Sequence, residues 1–140
     1  MGTGADNLIE KPREFNLSRS EDLRGLLTFV NLPFPIHRMY TISKNMNGLT
    51  RGNHAHKKLQ QLFFCLQGAL TVTLKTPVET YSFELTPEGN ALLVPGGYWR
   101  TLEHFKSDTI CLVLASNPYD EDDYVRDFDD YIKWFESVTK

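Results

Sequence analysis

The stretch with the most chemistry in it is Arg51-Gly52-Asn53-His54-Ala55-His56-Lys57-Lys58. Residues two apart in a β-strand face the same side. His54 and His56 therefore project together, into the body of the fold or out of it. Two imidazoles on one face suit metal ligation, and an idle surface pair is the other reading of the same spacing.

Such a pair needs a rigid strand beneath it, and the sequence is full of strand signals. Ile36 to Ile42 follows the Pro33-Phe34-Pro35 break, and the apolar run Leu62 to Leu66 is stopped by Gly68. Leu70-Thr71-Val72-Thr73-Leu74 alternates with period two, as do Tyr81, Phe83 and Leu85 within Thr80 to Leu85. Ala91 to Val94 runs from Gly89-Asn90 to the turn Pro95-Gly96-Gly97, and Thr109 to Ala115 closes the set. Strands of this length and spacing predict an antiparallel sandwich or small barrel. After the acidic run Asp120-Glu121-Asp122-Asp123, residues Tyr124, Phe128, Ile132 and Phe135 recur at helical spacing. This predicts a C-terminal helix with its acidic end at the positive pole of the helix dipole. Asn7 to Leu32 has no clear assignment. The expected organisation is one domain over 1–140, with an N-terminal arm (1–32), a barrel (33–118) and the helix (119–140).

The 140 residues are 41% hydrophobic and 24% charged, which excludes an intrinsically disordered chain. Fifteen basic against eighteen acidic residues give a net charge of -3, which argues against a dedicated nucleic-acid binder. No apolar run approaches the ~20 residues that span a bilayer, so no membrane contact is expected. Met1 to Phe15 has no apolar core of the secretory kind, and Asp6 breaks the myristoylation pattern after Gly2. A cytoplasmic chain is expected, in which the sequon Asn16-Leu17-Ser18 has no meaning. Cys65 and Cys111 sit inside apolar runs and read as buried free thiols.

Around the histidine pair the spacing resembles the cupin superfamily. Its first motif runs Gly, five residues, His-x-His, three or four residues, Glu, six residues, Gly. Gly48, His54, His56, Gln61 and Gly68 stand in those places. The second runs Gly, five residues, Pro-x-Gly, two residues, His, three residues, Asn, matched here by Gly89, Pro95-Gly96-Gly97, Arg100 and His104. The resemblance implies an all-β cupin fold, a small antiparallel barrel or jelly roll, here with a short C-terminal helix. Metal cupins hold their ion with three His and one Glu. Gln61 replaces that carboxylate and Arg100 the third histidine. A guanidinium keeps its charge in proteins, and at about 4 Å and an effective dielectric near 20 two unit charges repel by roughly 4 kcal/mol. No bound metal is therefore expected. The imidazoles are left to proton chemistry, for which an unperturbed pKa near ~6.5 is suited.

Within the cupins, the chain more closely resembles the nucleotide-sugar 3,4-ketoisomerases, which act on TDP-4-keto-6-deoxyglucose. The resemblance rests on the Arg51 to Lys58 stretch, on Arg38-Met39-Tyr40 and on Trp99-Arg100. It extends through Leu112-Val113-Leu114-Ala115-Ser116, Tyr119-Asp120-Glu121 and Asp123-Tyr124-Val125-Arg126-Asp127-Phe128. It covers about Arg24 to Phe128. It implies an intramolecular shift of the ketone from carbon 4 to carbon 3, with neither metal nor nicotinamide and no other cofactor. A base removes the proton at carbon 3, an enediol-type intermediate forms, and a proton returns at carbon 4. His54 is the implied base. His56 relays a proton or orients the sugar, and Tyr40 and Arg100 donate to its oxygens. Arg51, Lys57 and Arg126 are the implied diphosphate ligands. Arg38 is counted with the substrate-binding residues, and Arg24 and Arg100 flank the sugar. Arg24 resembles the galacto-forming type and Arg100 the gluco-forming type, so the product configuration stays open. The resemblance further implies a cytoplasmic homodimer with exchanged N-terminal strands, feeding 3-amino-sugars into surface polysaccharide. A non-catalytic cupin that binds nucleotide sugars and a metal-dependent cupin enzyme are the alternatives.

Overall fold

The computed structural model describes residues 9–45 and 48–139. The first eight residues of the expected arm and the last of the expected helix lie outside the described residues. The strands are β1 (Arg13–Phe15), β2 (Ser18–Asp22), β3 (Gly25–Phe29), β4 (Arg38–Ser43), β5 (Arg51–His56) and β6 (Gln61–Gln67). They continue as β7 (Leu70–Lys75), β8 (Thr80–Leu85), β9 (Ala91–Val94), β10 (Trp99–Glu103), β11 (Ile110–Ala115) and β12 (Tyr124–Val125), and helix α1 (Phe128–Thr139) ends the fold.

The alternation of Leu70 to Leu74 dictates β7. Leu70, Val72 and Leu74 are buried while Thr71 and Thr73 are half-buried. Neighbours with the same pattern complete two five-stranded antiparallel sheets, ordered β1-β9-β6-β11-β4 and β12-β5-β10-β7-β8. The apolar faces meet in one core that includes Phe63, Leu70, Val72, Leu74, Leu92, Val94, Leu102 and Val113. This is the all-β cupin sandwich, and all six strands expected from the sequence are present. Cys65 and Cys111 are buried and free, opposite each other across β6 and β11.

The helix starts later than its spacing suggested. Asp120 caps a single 3₁₀ turn at Glu121–Asp123, its side chain accepting the Asp122 N–H at 3.0 Å. Tyr124 and Val125 then pair with His56 and Ala55. Tyr124 thus belongs to the sheet, and the first turn of α1 carries Asp129 and Asp130 rather than the acidic run. The Asp123 carboxylate decides this. It accepts the backbone N–H groups of Lys58 (2.8 Å) and Leu59 (3.2 Å), a tie that holds the segment against β5 and overrides the helical period.

Helix α1 lies on the outer face of the second sheet. Tyr131 packs with Ala55, Trp99 and Val125, and its hydroxyl donates to the Gly97 carbonyl at 2.7 Å. Both faces of β5 are therefore covered at its His56 end. Among the described residues β2 and β3 pair only with each other, as a hairpin outside both five-stranded sheets. Among the described residues no helix is long and apolar enough to cross a membrane.

Candidate active site

The site is built on an irregularity in β5. On β10, Arg100 pairs with His54 but Thr101 pairs with Gly52, leaving Asn53 as an extra residue. Gly52 and Asn53 both take positive φ, 92° and 60°. A Cβ on Gly52 would sit 2.9 Å from the Arg100 carbonyl oxygen, so this close approach requires glycine. Strict alternation would put Arg51 and His54 on opposite faces. The extra residue reverses the phase, and Arg51, paired with the inward Leu102, shares His54's side. At the other end of the strand, the Gly97 N–H donates to the His56 carbonyl at 2.7 Å. Gly96 packs so tightly there that a Cβ would lie 2.6 Å from the Lys57 carbonyl oxygen.

A cavity of about 350 Å³ opens on this face, lined by Arg38, Tyr40, Arg51, Gly52, His54, Gln61, Arg100, Tyr124 and Arg126 together with Ile42, Phe63 and Leu102. Among the described residues four guanidiniums and no carboxylate line it, in a chain whose net charge is -3. A cavity of this size and sign suits a phosphorylated sugar.

His54 Nδ1 lies 3.1 Å from the Gly52 carbonyl oxygen. A carbonyl only accepts, so Nδ1 carries the proton and Nε2 keeps its lone pair. Burial, then Arg100, holds the His54 pKa down to about 4. His56 is 2% exposed, its ring edge-on to His54 at 4.9 Å. Burial, then Arg100 and His54, lowers its pKa to about 2. His56 lines a smaller adjoining cavity of about 90 Å³ with Asp123 and Tyr124. Its Nδ1 is 3.3 Å from Asp123 Oδ2, yet makes no hydrogen bond. Both imidazoles are neutral at neutral pH.

Arg100 is 1% exposed and, among the described residues, has only neutral acceptors: the Gln61 side-chain carbonyl oxygen and the Tyr98 backbone carbonyl, the latter at 3.3 and 3.4 Å. Burial draws its pKa down to about 10, so it stays charged. Gln61 Nε2 donates to the Tyr40 hydroxyl at 3.0 Å. Burial raises the Tyr40 pKa, and the phenol keeps its proton. Arg126 is paired with Glu121 through two 2.8 Å hydrogen bonds and lies 4.1 Å over the Tyr124 ring. Arg38 lies 5.2 Å over Tyr40 and 5.4 Å over Tyr119.

Of the residues expected at the site, His54, Tyr40, Arg38, Arg51, Arg100 and Arg126 line one cavity, with His56 directly behind. Lys57 is exposed past the end of β5 and does not line it. Arg24 is exposed at the tip of the β2–β3 hairpin, where its guanidinium holds Asp22 at 2.5 Å. Sequence reasoning missed Tyr124 and Asp123 because helical spacing and the acidic run claimed them. The available signal was their place in the tail motif beside Arg126.

A neutral imidazole beside a buried cation and a protonated phenol is equipped to take a proton from a carbon next to a carbonyl and stabilise the oxyanion. The two cupin ligand positions are occupied by each other, since Arg100 donates to Gln61. They do not fit a metal. Among the described residues no group of three or more His, Cys, Asp or Glu is placed to hold one.

Residues 10–136 match the family model described as FdtA, WxcM-like, C-terminal. The chain belongs to this FdtA family. It is 35% identical over 128 residues to the TDP-4-oxo-6-deoxy-alpha-D-glucose-3,4-oxoisomerase of Aneurinibacillus thermoaerophilus, covering 89% of this chain and 92% of that protein. It is similar, at 35% identity and a TM-score of 0.85, to a mutant of the 3,4-ketoisomerase QdtA from Thermoanaerobacterium thermosaccharolyticum solved with TDP-4-keto-6-deoxyglucose. That match covers 90% of this chain and 94% of QdtA. The RmlC epimerase of Mycobacterium tuberculosis shares the fold alone, at 13% identity and a TM-score of 0.70 over 81% of this chain and 66% of its own. The oxoisomerase and the ketoisomerase are thus named for the kind of activity that the cavity chemistry points to.

Proposed function

We propose that the chain is an isomerase that moves the keto group of TDP-4-keto-6-deoxyglucose from carbon 4 to carbon 3. The observation that carries this is the neutral His54, facing the buried Arg100 across the β5–β10 pair on the wall of a cationic cavity. His54 Nε2 takes the hydrogen of carbon 3 as a proton. Its electron pair forms the carbon 3–carbon 4 double bond, and charge develops on the carbon 4 oxygen. Arg100 and Tyr40 donate to that oxygen. Protonation of carbon 4 and loss of the proton from the carbon 3 hydroxyl complete the shift. One hydrogen moves between carbons and one between oxygens, so the shift balances without an external oxidant or reductant. His56 relays or orients, and Arg51, Arg126 and Arg38 hold the diphosphate.

A nucleotide-sugar substrate supports a cytoplasmic location for this work, and the 3-keto product suits a transaminase that installs a 3-amino group. We further propose a homodimer with exchanged N-terminal hairpins. The exposed Leu26, Leu27 and Phe29 of β3 support it.

Sugar proton NMR in deuterated buffer tests the reaction. The expected result is loss of the carbon 3 proton and deuterium at carbon 4, with couplings that report the product configuration. His54→Asn abolishes turnover, a loss on the order of 10²–10⁴-fold for a general base, and leaves TDP binding intact. Tight TDP binding with no exchange would leave a non-catalytic binding module. A stoichiometric metal whose removal by EDTA stops turnover would replace the mechanism.

A further inference from the structure

We infer that Gln61 is a positioning residue, whose side-chain amide, anchored on Arg100, sets the Tyr40 hydroxyl as a hydrogen-bond donor into the cavity. The inference rests on the proposed isomerisation, in which Tyr40 donates to the sugar.

The direction of each hydrogen bond in this buried row is forced. A guanidinium has five N–H donors and no acceptor. Arg100 donates to Gln61, so the amide oxygen must face the arginine. The usual ambiguity between amide oxygen and nitrogen is thereby removed. The amide nitrogen then faces Tyr40 and, having no lone pair to offer, donates to the phenol oxygen at 3.0 Å. The single Tyr40 proton cannot point back at Gln61. It is free for an acceptor in the cavity that Tyr40 lines. Gln61 is 2% exposed, so water does not compete for its amide.

A carboxylate at the same place would do the opposite. Its two oxygens would accept from Arg100 and from Tyr40 alike, capturing the phenolic proton and offsetting the buried cation. Exchanging one NH₂ for one oxygen thus reverses the polarity of the row while keeping its shape and both contacts.

The test is a double-mutant cycle. The kcat for TDP-4-keto-6-deoxyglucose and the affinity for TDP are measured for Gln61→Glu, Tyr40→Phe and the double variant. Gln61→Glu is expected to lower kcat on the order of 10²-fold, the scale of one lost oxyanion donor, with TDP affinity unchanged. In the Tyr40→Phe background the same change costs less, because the share carried by the Tyr40 proton is already gone and only the offset of the Arg100 charge remains. Equal losses in both backgrounds would overturn the inference. So would a Gln61→Glu variant as fast as wild type. If Gln61→Glu fails to bind TDP, Gln61→Met decides. Its kcat loss should shrink when Tyr40 is already Phe, and an undiminished loss overturns the inference. A wild-type protein that binds TDP but does not isomerise the sugar would instead overturn the functional reading.

Discussion

At the scale of single residues, the site works by keeping two imidazoles uncharged where a cation is permanent. His54 faces Arg100 across the strand pair, with His56 and Tyr124 beside it and Arg126 and Glu121 at the rim. The positive neighbours and burial oppose a second positive charge, and Glu121 and the Gly52 carbonyl offset them only in part. The sign of the pH dependence follows. The base form of His54 exists above its pKa of about 4, so kcat/KM should hold level on the acid side and fall only near that pH. An unperturbed imidazole would lose activity near ~6.5. Arg100→Gln removes the second-largest cause of the depression, and the acid limb should move upward. It stops short of the unperturbed value, since burial, the largest cause, remains. The plateau should also drop, because in the proposed mechanism Arg100 donates to the oxyanion. Profiles of kcat/KM between pH 3.5 and 8 for both proteins separate the two effects. A wild-type limb near the unperturbed value would show that His54 is not the titrating base.

At the scale of elements, the bulge in β5 decides which side chains meet. Gly52 has a φ of 92° and no room for a Cβ against the Arg100 carbonyl. Gly52→Ala should therefore cost about 1–3 kcal/mol of stability, the usual scale of a forced backbone conformation. It should also weaken TDP binding by shifting Arg51. Asn53, at φ 60°, occupies a conformation open to Asn and Gly, and Asn53→Gly should leave both properties nearly unchanged. Chemical denaturation and calorimetry check the pair, and equal behaviour of the two variants would mean that the bulge does not set the cavity. The bulge also marks where the sequence stops being legible. Period-two alternation reveals β7 and β8, each with one side facing the core, and a continuous apolar run reveals the buried β6. The same rule puts Arg51 on the wrong side of His54. Only the register with β10 reveals the extra residue, and register is a property of two strands. Tyr124 was assigned to a helix because its distance to Phe128 fits one, while pairing with His56 is invisible in a linear pattern. Gln61 and Arg100 were legible as absent metal ligands, but their hydrogen bond spans 39 residues and needs the fold. The β2–β3 hairpin shows no buried face in its sequence because, in one chain, every residue of both strands is exposed.

At the scale of the whole molecule, that hairpin leaves a gap. Leu23, Leu26, Leu27 and Phe29 are each more than half exposed, as are Met39 and Leu66 on the outer face of the first sheet. Between hairpin and sheet lies a cavity of about 390 Å³ lined by Leu17, Leu26, Phe29, Phe64, Leu66 and Leu112 among others. So much uncovered apolar surface is uncommon on a monomer, and a second copy placing its own hairpin there would cover it with a self-complementary interface. The exchange would also account for Arg24, whose side-chain hydrogen bonds among the described residues go to Asp22. Carried on the exchanged hairpin, it would serve the partner's cavity rather than its own. Each active site would then combine His54 of one chain with Arg24 of the other. Mixing decides this. Arg24→Ala and His54→Asn proteins, each nearly inactive at low substrate, should regain turnover when unfolded and refolded together. One site of the hybrid dimer would hold both native residues and the other neither. If Arg24 served its own chain, every site in the hybrid would lack one residue, and no turnover would return. A chain that sediments as a monomer at assay concentrations would remove the exchange altogether. Leu26→Glu with Leu27→Glu should produce that monomer deliberately, with the same rise in KM as Arg24→Ala.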